Sequence, residues 1–155
     1  VQTFHQVVQA LIVRTGFQSR RFNTFYSHPT AALAQIYRQA VAGGAAERII
    51  YSAEYAISPA ISPKGDKLAF ISRFNGAFRV TLLDLLTGTQ LVLTDTMRDE
   101  SPTFAPNGKI LVYATEEGGR GVLATVSLDG RVRTRLTGPN GDIREPLGDR
   151  FYSKT

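Results

Sequence analysis

The chain has no cysteine and no tryptophan, and among its 155 residues there are only one methionine and two histidines. Without a thiol there is no cysteine nucleophile, cysteine-ligated zinc, iron-sulfur cluster or disulfide staple, although this does not fix the compartment. His5 and His28 have no second His, Asp or Glu nearby at ligand spacing, so no metal is expected. Long apolar runs are also missing. The longest near the start, Val7 to Val13, is broken by Gln9 and is too short to cross a bilayer, so direct membrane insertion is not expected. Position 1 is Val and no charged-then-apolar leader precedes it, which reads as a processed or truncated chain.

Catalytic signatures are absent as well. No Ser sits in a G-x-S-x-G elbow, and Gly118-Gly119-Arg120-Gly121 is neither a phosphate-binding loop nor a dinucleotide fingerprint, because no helical period follows it. Glu116 and Glu117 are neighbours in an extended segment, so they point to opposite sides and cannot flank one bond. No catalytic residue, no cofactor and no enzyme activity are expected. The formal charge of +5 comes mostly from residues 1–53, with five Arg and one acid, while the remainder is balanced and interspersed. That is not the clustered basic stripe of a nucleic-acid binder.

What the chain does have is a repeat. At an offset of 43 residues, SPAISPKGDKLAFIS (Ser58 to Ser72) falls on SPTFAPNGKILVYAT (Ser101 to Thr115), and Leu93-Thr94 falls on Leu136-Thr137. A period of about 40–50 residues is that of a four-stranded propeller blade. The first full unit predicts strands at Pro59 to Ile61, Lys67 to Ser72, Phe78 to Leu83 and Thr89 to Leu93. The second predicts Pro102 to Phe104, Ile110 to Thr115, Gly121 to Ser127 and Val132 to Leu136. The turns Pro63-Lys64-Gly65-Asp66 and Pro106-Asn107-Gly108-Lys109 suit tight reversals, Pro presetting φ and Gly supplying its positive value.

A weaker upstream copy supplies second, third and fourth strands at Phe22 to Ser27, Gln35 to Val41 and Glu47 to Tyr51, while residues 1–21 fit poorly, though the β-branched content of Val7 to Val13 favours an inner strand over a short buried helix segment. The fold is therefore read as all-β, a partial β-propeller of about three four-stranded antiparallel blade units. Residues 1–33 form a poorly matching segment that belongs to part of a blade, 34–57 end the first unit, 58–100 and 101–143 are blades, and 144–155 begin a closing strand and tail. Since 155 residues make about 3.6 periods, a fragment of a longer ring is expected. Phe70, Phe78, Phe104 and Tyr113 are expected between blades, and Tyr55 is the aromatic expected to be exposed.

AQIYRQAVAGGAAERI, SPAISPKGDKLAFISR, LTDTMRDESPTFAPNGK and YATEEGGRGVLATVSLDGRVRTRL, ending in GDIREP, resemble consecutive blades of the TolB propeller family over roughly residues 34–146. The resemblance implies a non-enzymatic periplasmic protein of the Tol-Pal system. It implies the lipoprotein Pal as partner, colicin translocation segments as competitors, and contact with other Tol proteins. The runner-up is the gating propeller of a prolyl-oligopeptidase-like serine peptidase without its hydrolase domain. A WD-repeat scaffold is disfavoured by the lack of Trp.

In a blade meander, loops after the first and third strands share one face of the disc, and those after the second and fourth share the other. The second face collects Glu54-Tyr55-Ala56-Ile57, Arg73-Phe74-Asn75, Arg98-Asp99-Glu100, Glu116 to Arg120 and Asp142 to Glu145, more varied chemistry than turns require. The fourth-to-first connectors surround the channel mouth, where the resemblance puts Pal. Matching by position points to Tyr55, Ala56, Ile57 and Ser58, then Arg98, Asp99, Glu100 and Ser101, then Ile143, Arg144 and Glu145. Each acid has a structural alternative of equal weight, a hydrogen bond to backbone that ties adjacent blades.

Overall fold

Turn residues at regular intervals cut the chain into strands, and the computed structural model describes residues 11–15, 21–30, 33–40 and 42–136. Twelve strands among them form three four-stranded antiparallel sheets, each in chain order. The first holds β1 (Leu11–Thr15), β2 (Arg21–Thr30), β3 (Leu33–Ala40) and β4 (Glu47–Arg48). The second holds β5 (Ala56–Ile61), β6 (Lys67–Phe74), β7 (Ala77–Asp84) and β8 (Gln90–Val92). The third holds β9 (Glu100–Phe104), β10 (Ile110–Glu117), β11 (Arg120–Ser127) and β12 (Arg133–Arg135).

The all-β fold of four-stranded units is as expected, with two differences. The weak upstream copy is a full sheet, because β1, unmatched by the repeat, pairs along its length with β2, from Leu11 opposite Phe25 to Thr15 opposite Arg21. The first strands of the second and third sheets also begin earlier than expected, at Ala56 and Glu100, because pairing continues across a bulge. Ser58-Pro59 together oppose one residue of β6, Phe70, and Ser101-Pro102 oppose Tyr113 of β10. Proline brings no ladder donor, so it is tolerated where a bulge releases one residue from pairing. The serine before it takes the left-handed conformation, at φ 53° for Ser58 and 48° for Ser101.

Burial on both faces explains the nearly continuous apolar run of β6. Leu68 and Phe70 face the first sheet and join Ile36, Ile50, Ala56 and Leu83. Ala69 and Ile71 face the third sheet and join Val80, Leu82, Leu93, Leu111, Tyr113 and Val126. Each large side chain buried this way contributes roughly 1.5–3 kcal/mol. Phe70 and Tyr113 are fully buried, while Phe78 and Phe104 are half-buried against the second cluster. Burial, with the negative field of Asp99, pushes the Tyr113 phenol up to about 12.

Each inter-sheet connector also grips the fourth strand of the sheet that follows. Ser52 donates its hydroxyl to Gln90 at 2.7 Å, and Arg133 forms a two-pronged pair with Asp95, its Nη2 donating to Oδ2 at 2.9 Å. Gly130 sits so close to the Leu93 backbone that a Cβ there would lie 3.1 Å from the carbonyl oxygen. The first strands β5 and β9 lie against one another, and the fourth strands β8 and β12 are largely exposed.

Candidate functional site

The loops separate into two ends, and their hydrogen bonding differs. At one end the β5–β6 and β7–β8 turns meet, the Leu85 amide donating to Asp66 O at 2.9 Å. Polar side chains there close the turns. Ser62 donates its hydroxyl to Asp66 at 2.7 Å and accepts the Lys67 amide at 3.0 Å, while Lys67 Nζ bridges Asp84 at 3.1 Å and Asp66 at 3.3 Å. Asp84 accepts the Leu86 and Thr87 amides, each at 3.0 Å, and the Thr87 amide with Lys67 holds its carboxyl down to about 2. In the third sheet, Ser127 donates to Asp129, whose carboxyl is likewise held low. The acids of these turns are thus tied into the turns themselves, while Lys64 and Lys109 are exposed without an ion pair among the described residues.

The other end carries the β6–β7 and β10–β11 hairpin tips and the connectors into β5 and β9. The Arg73 amide donates to Tyr55 O at 3.1 Å and the Phe78 amide to Met97 O at 2.9 Å, so one connector flanks each side of the β6–β7 tip. Tyr55, expected to be exposed, is half-buried, its ring edge-on to Phe78 with centroids 5.6 Å apart. Ile57 is half-buried against the second core cluster, and Ser58 and Ser101 occupy the bulges. Arg98 is exposed and donates to Glu116 at 3.1 Å. Glu100 is exposed and has no ion pair among the described residues. Ile143, Arg144 and Glu145 lie outside the described residues.

Two expected contact residues are turned inward. Ala56 is fully buried under the first sheet. Asp99 is 1% exposed, and its carboxylate accepts the hydroxyls of Thr94 at 2.5 Å and Thr96 at 2.6 Å and the Val80 amide at 3.4 Å. Its own amide donates to Phe78 O at 3.0 Å. A buried carboxylate is stable only with such partners, so Asp99 ties the connector to β7 instead of presenting charge to a partner.

The groups that do reach solvent on this face include some that sequence reasoning left without a role. Glu54, Arg73 and Glu100 are exposed charges without an ion pair among the described residues, whereas Arg98 with Glu116 and Arg135 with Glu117 are paired. Phe74 and Met97 are 51% and 63% exposed. Arg79 stacks its guanidinium 5.7 Å from the Phe74 ring centroid. The signal that could have drawn attention to Met97 is that the chain's one methionine falls in an otherwise polar connector. Among the described residues no three or more His, Cys, Asp or Glu gather to hold a metal.

Comparison with known proteins identifies the family. The model of the TolB beta propeller domain matches residues 23–150. The Tol-Pal system protein TolB of Nitrosospira multiformis is 50% identical over 113 residues, covering 71% of this chain and 26% of that protein. The protein of the same name from Azoarcus sp. is 58% identical over 76 residues, covering 49% of this chain and 18% of that one. The crystal structure of TolB from Acinetobacter baumannii superposes with a TM-score of 0.70 at 36% identity, over 81% of this chain and 31% of that one. The chain thus spans about a quarter or less of the length of these curated relatives.

Proposed function

The chain belongs to the TolB beta propeller domain family, and on that premise we propose that it is a non-enzymatic docking platform of the Tol-Pal cell-envelope system. It works in the periplasm and receives the lipoprotein Pal on the face that carries the β6–β7 tip and the connectors into β5 and β9. Colicin translocation segments compete for that face, and other Tol proteins complete the assembly that couples the inner membrane to the outer during constriction.

The observation that supports this reading is the contrast between the acidic groups of the two ends. Ser62, Asp66, Lys67 and Asp84 are bonded to one another, while Glu54, Arg73 and Glu100 at the opposite end are exposed without ion pairs among the described residues. Charges left unpaired at a surface cost the fold little and offer charge-assisted hydrogen bonds to a partner. Tyr55, Ile57, Ser58, Arg98, Glu100 and Ser101 form the described rim, and Ile143, Arg144 and Glu145 extend it by the resemblance. Asp99 and Ala56 support the rim from beneath.

The test is calorimetric titration of the full chain with a soluble Pal domain. Glu100→Lys and Arg98→Glu should weaken binding by about tenfold or more, and Lys64→Glu on the opposite face by less than about twofold. Equal effects from both faces contradict the proposal.

A further inference from the structure

The two complete repeats differ at the hairpin tip in a way that folding does not require. Both tips reverse through left-handed pairs, Asn75-Gly76 at φ 49° and 80° and Gly118-Gly119 at 58° and 77°. Around that shared turn the third sheet places charge. Arg98, Glu116 and Glu117 occupy the positions that Tyr55, Arg73 and Phe74 hold one repeat earlier, and Gly121 replaces Phe78. Its charges are matched within the chain, Arg98 to Glu116 and Arg135 to Glu117.

The second sheet places apolar groups there instead. Phe74 and Met97 are more than half exposed, and the Tyr55 and Phe78 rings meet at the base of the same hairpin, on the Arg73 side. The cations beside them have no ion pair among the described residues. Arg73 is exposed, and Arg79 lies over the Phe74 ring with its Nε buried and without a hydrogen-bond acceptor. Since the third sheet makes the same turn without these residues, fold stability does not account for exposing them.

We propose that the β6–β7 tip and the connector beside it, through Phe74 and Met97 with Arg79 over the Phe74 ring, form the apolar anchor of the docking face and take a protein segment carrying an aromatic or aliphatic side chain next to a carboxylate. The inference rests on the docking role given above and identifies which blade supplies most of the binding. The apolar side chain of the partner covers Phe74 and Met97, and its carboxylate answers the Arg79 guanidinium, with Arg73 on the other face of the hairpin adding to the positive field. A central desolvated anchor ringed by polar contacts is the usual distribution of binding energy at such surfaces.

The experiment titrates the full chain with the soluble Pal domain and compares Phe74→Ser, Met97→Ser and Arg73→Glu with Leu86→Ser, an equally simple change at an exposed leucine of the opposite end. Circular dichroism and urea midpoints confirm that each variant is folded. Phe74→Ser and Met97→Ser should each weaken binding about tenfold or more, Arg73→Glu should weaken it too, and Leu86→Ser should change it less than about twofold. Pal binding that is tight in the wild type and unaltered by Phe74→Ser and Met97→Ser would overturn the anchor while leaving the docking role intact. Tighter binding by Arg73→Glu would show a cationic partner segment and overturn the carboxylate assignment. No binding by the wild type would instead defeat the docking role itself.

Discussion

Ser58 and Ser101, 43 residues apart, hold the same left-handed backbone conformation at the bulge where each repeat's first strand passes its proline. A non-glycine residue there carries about 1–2 kcal/mol of strain, and a β-branched side chain adds to it. Ser101→Gly should therefore be close to neutral, because relief of strain offsets the added freedom of the unfolded chain. Ser101→Val should be less stable than Ser101→Gly by about 1–2 kcal/mol in urea unfolding. Equal stability of the two would show that the bulge does not impose a left-handed residue.

Asp99 and Glu100 are sequence neighbours with opposite roles. Asp99→Ala strands the hydroxyl donors of Thr94 and Thr96, while the Val80 amide keeps its bond to Thr94 Oγ1 at 3.0 Å, and should cost about 2–4 kcal/mol. Glu100→Ala, at an exposed position, should stay within about 0.5 kcal/mol. Urea denaturation of the two variants checks this, and a larger loss from Glu100 than from Asp99 would reverse the assignment.

Stability should fall with acid but not across neutral pH. Hydrogen bonds and cations hold Asp66, Asp84, Asp95 and Asp129 below the ordinary value of 3.8, Asp84 at about 2. The unfolded chain therefore takes up protons near 3.8 while the folded chain resists, so the contribution is complete above about pH 5 and is lost as pH drops toward 2. Lys67 is raised by Asp84, so its contribution holds below 10.5 and disappears only above it. Urea midpoints should be level from about pH 6 to 9 and decline below about 4, and Asp84→Asn should flatten the decline. An unchanged acid slope in that variant would contradict the role of the turn.

Much of the fold was legible because its turns are chemical. Pro63, Gly65, Pro106 and Gly108 mark the reversals, and the 43-residue offset predicts the second and third sheets strand for strand. Strand β1 was legible only in part: the β-branched run Val7 to Val13 favours a strand, but its bounds and its pairing with β2 leave no motif in Leu11–Thr15. The Ser-Pro bulges were also hidden, because proline reads as the start of a strand when the residues before it pair beyond a bulge. On the candidate face, the loop division grouped the connectors into β5 and β9 with the β6–β7 and β10–β11 tips at one end, as the structure does. It did not separate Asp99 from Glu100, because which side chain turns inward depends on Thr94, Thr96 and the edge of β7. Phe74 was read as part of the face but given no role, as an aromatic at a hairpin tip looks like core until its exposure is known.

The most direct test of the docking account is hydrogen exchange of the full chain, alone and saturated with the Pal domain. The account predicts slowed exchange at amides of residues 54–58, 73–78 and 97–101, with no change at 62–66 and 85–89. Protection confined to 62–66 and 85–89, or no protection at saturation, would contradict it.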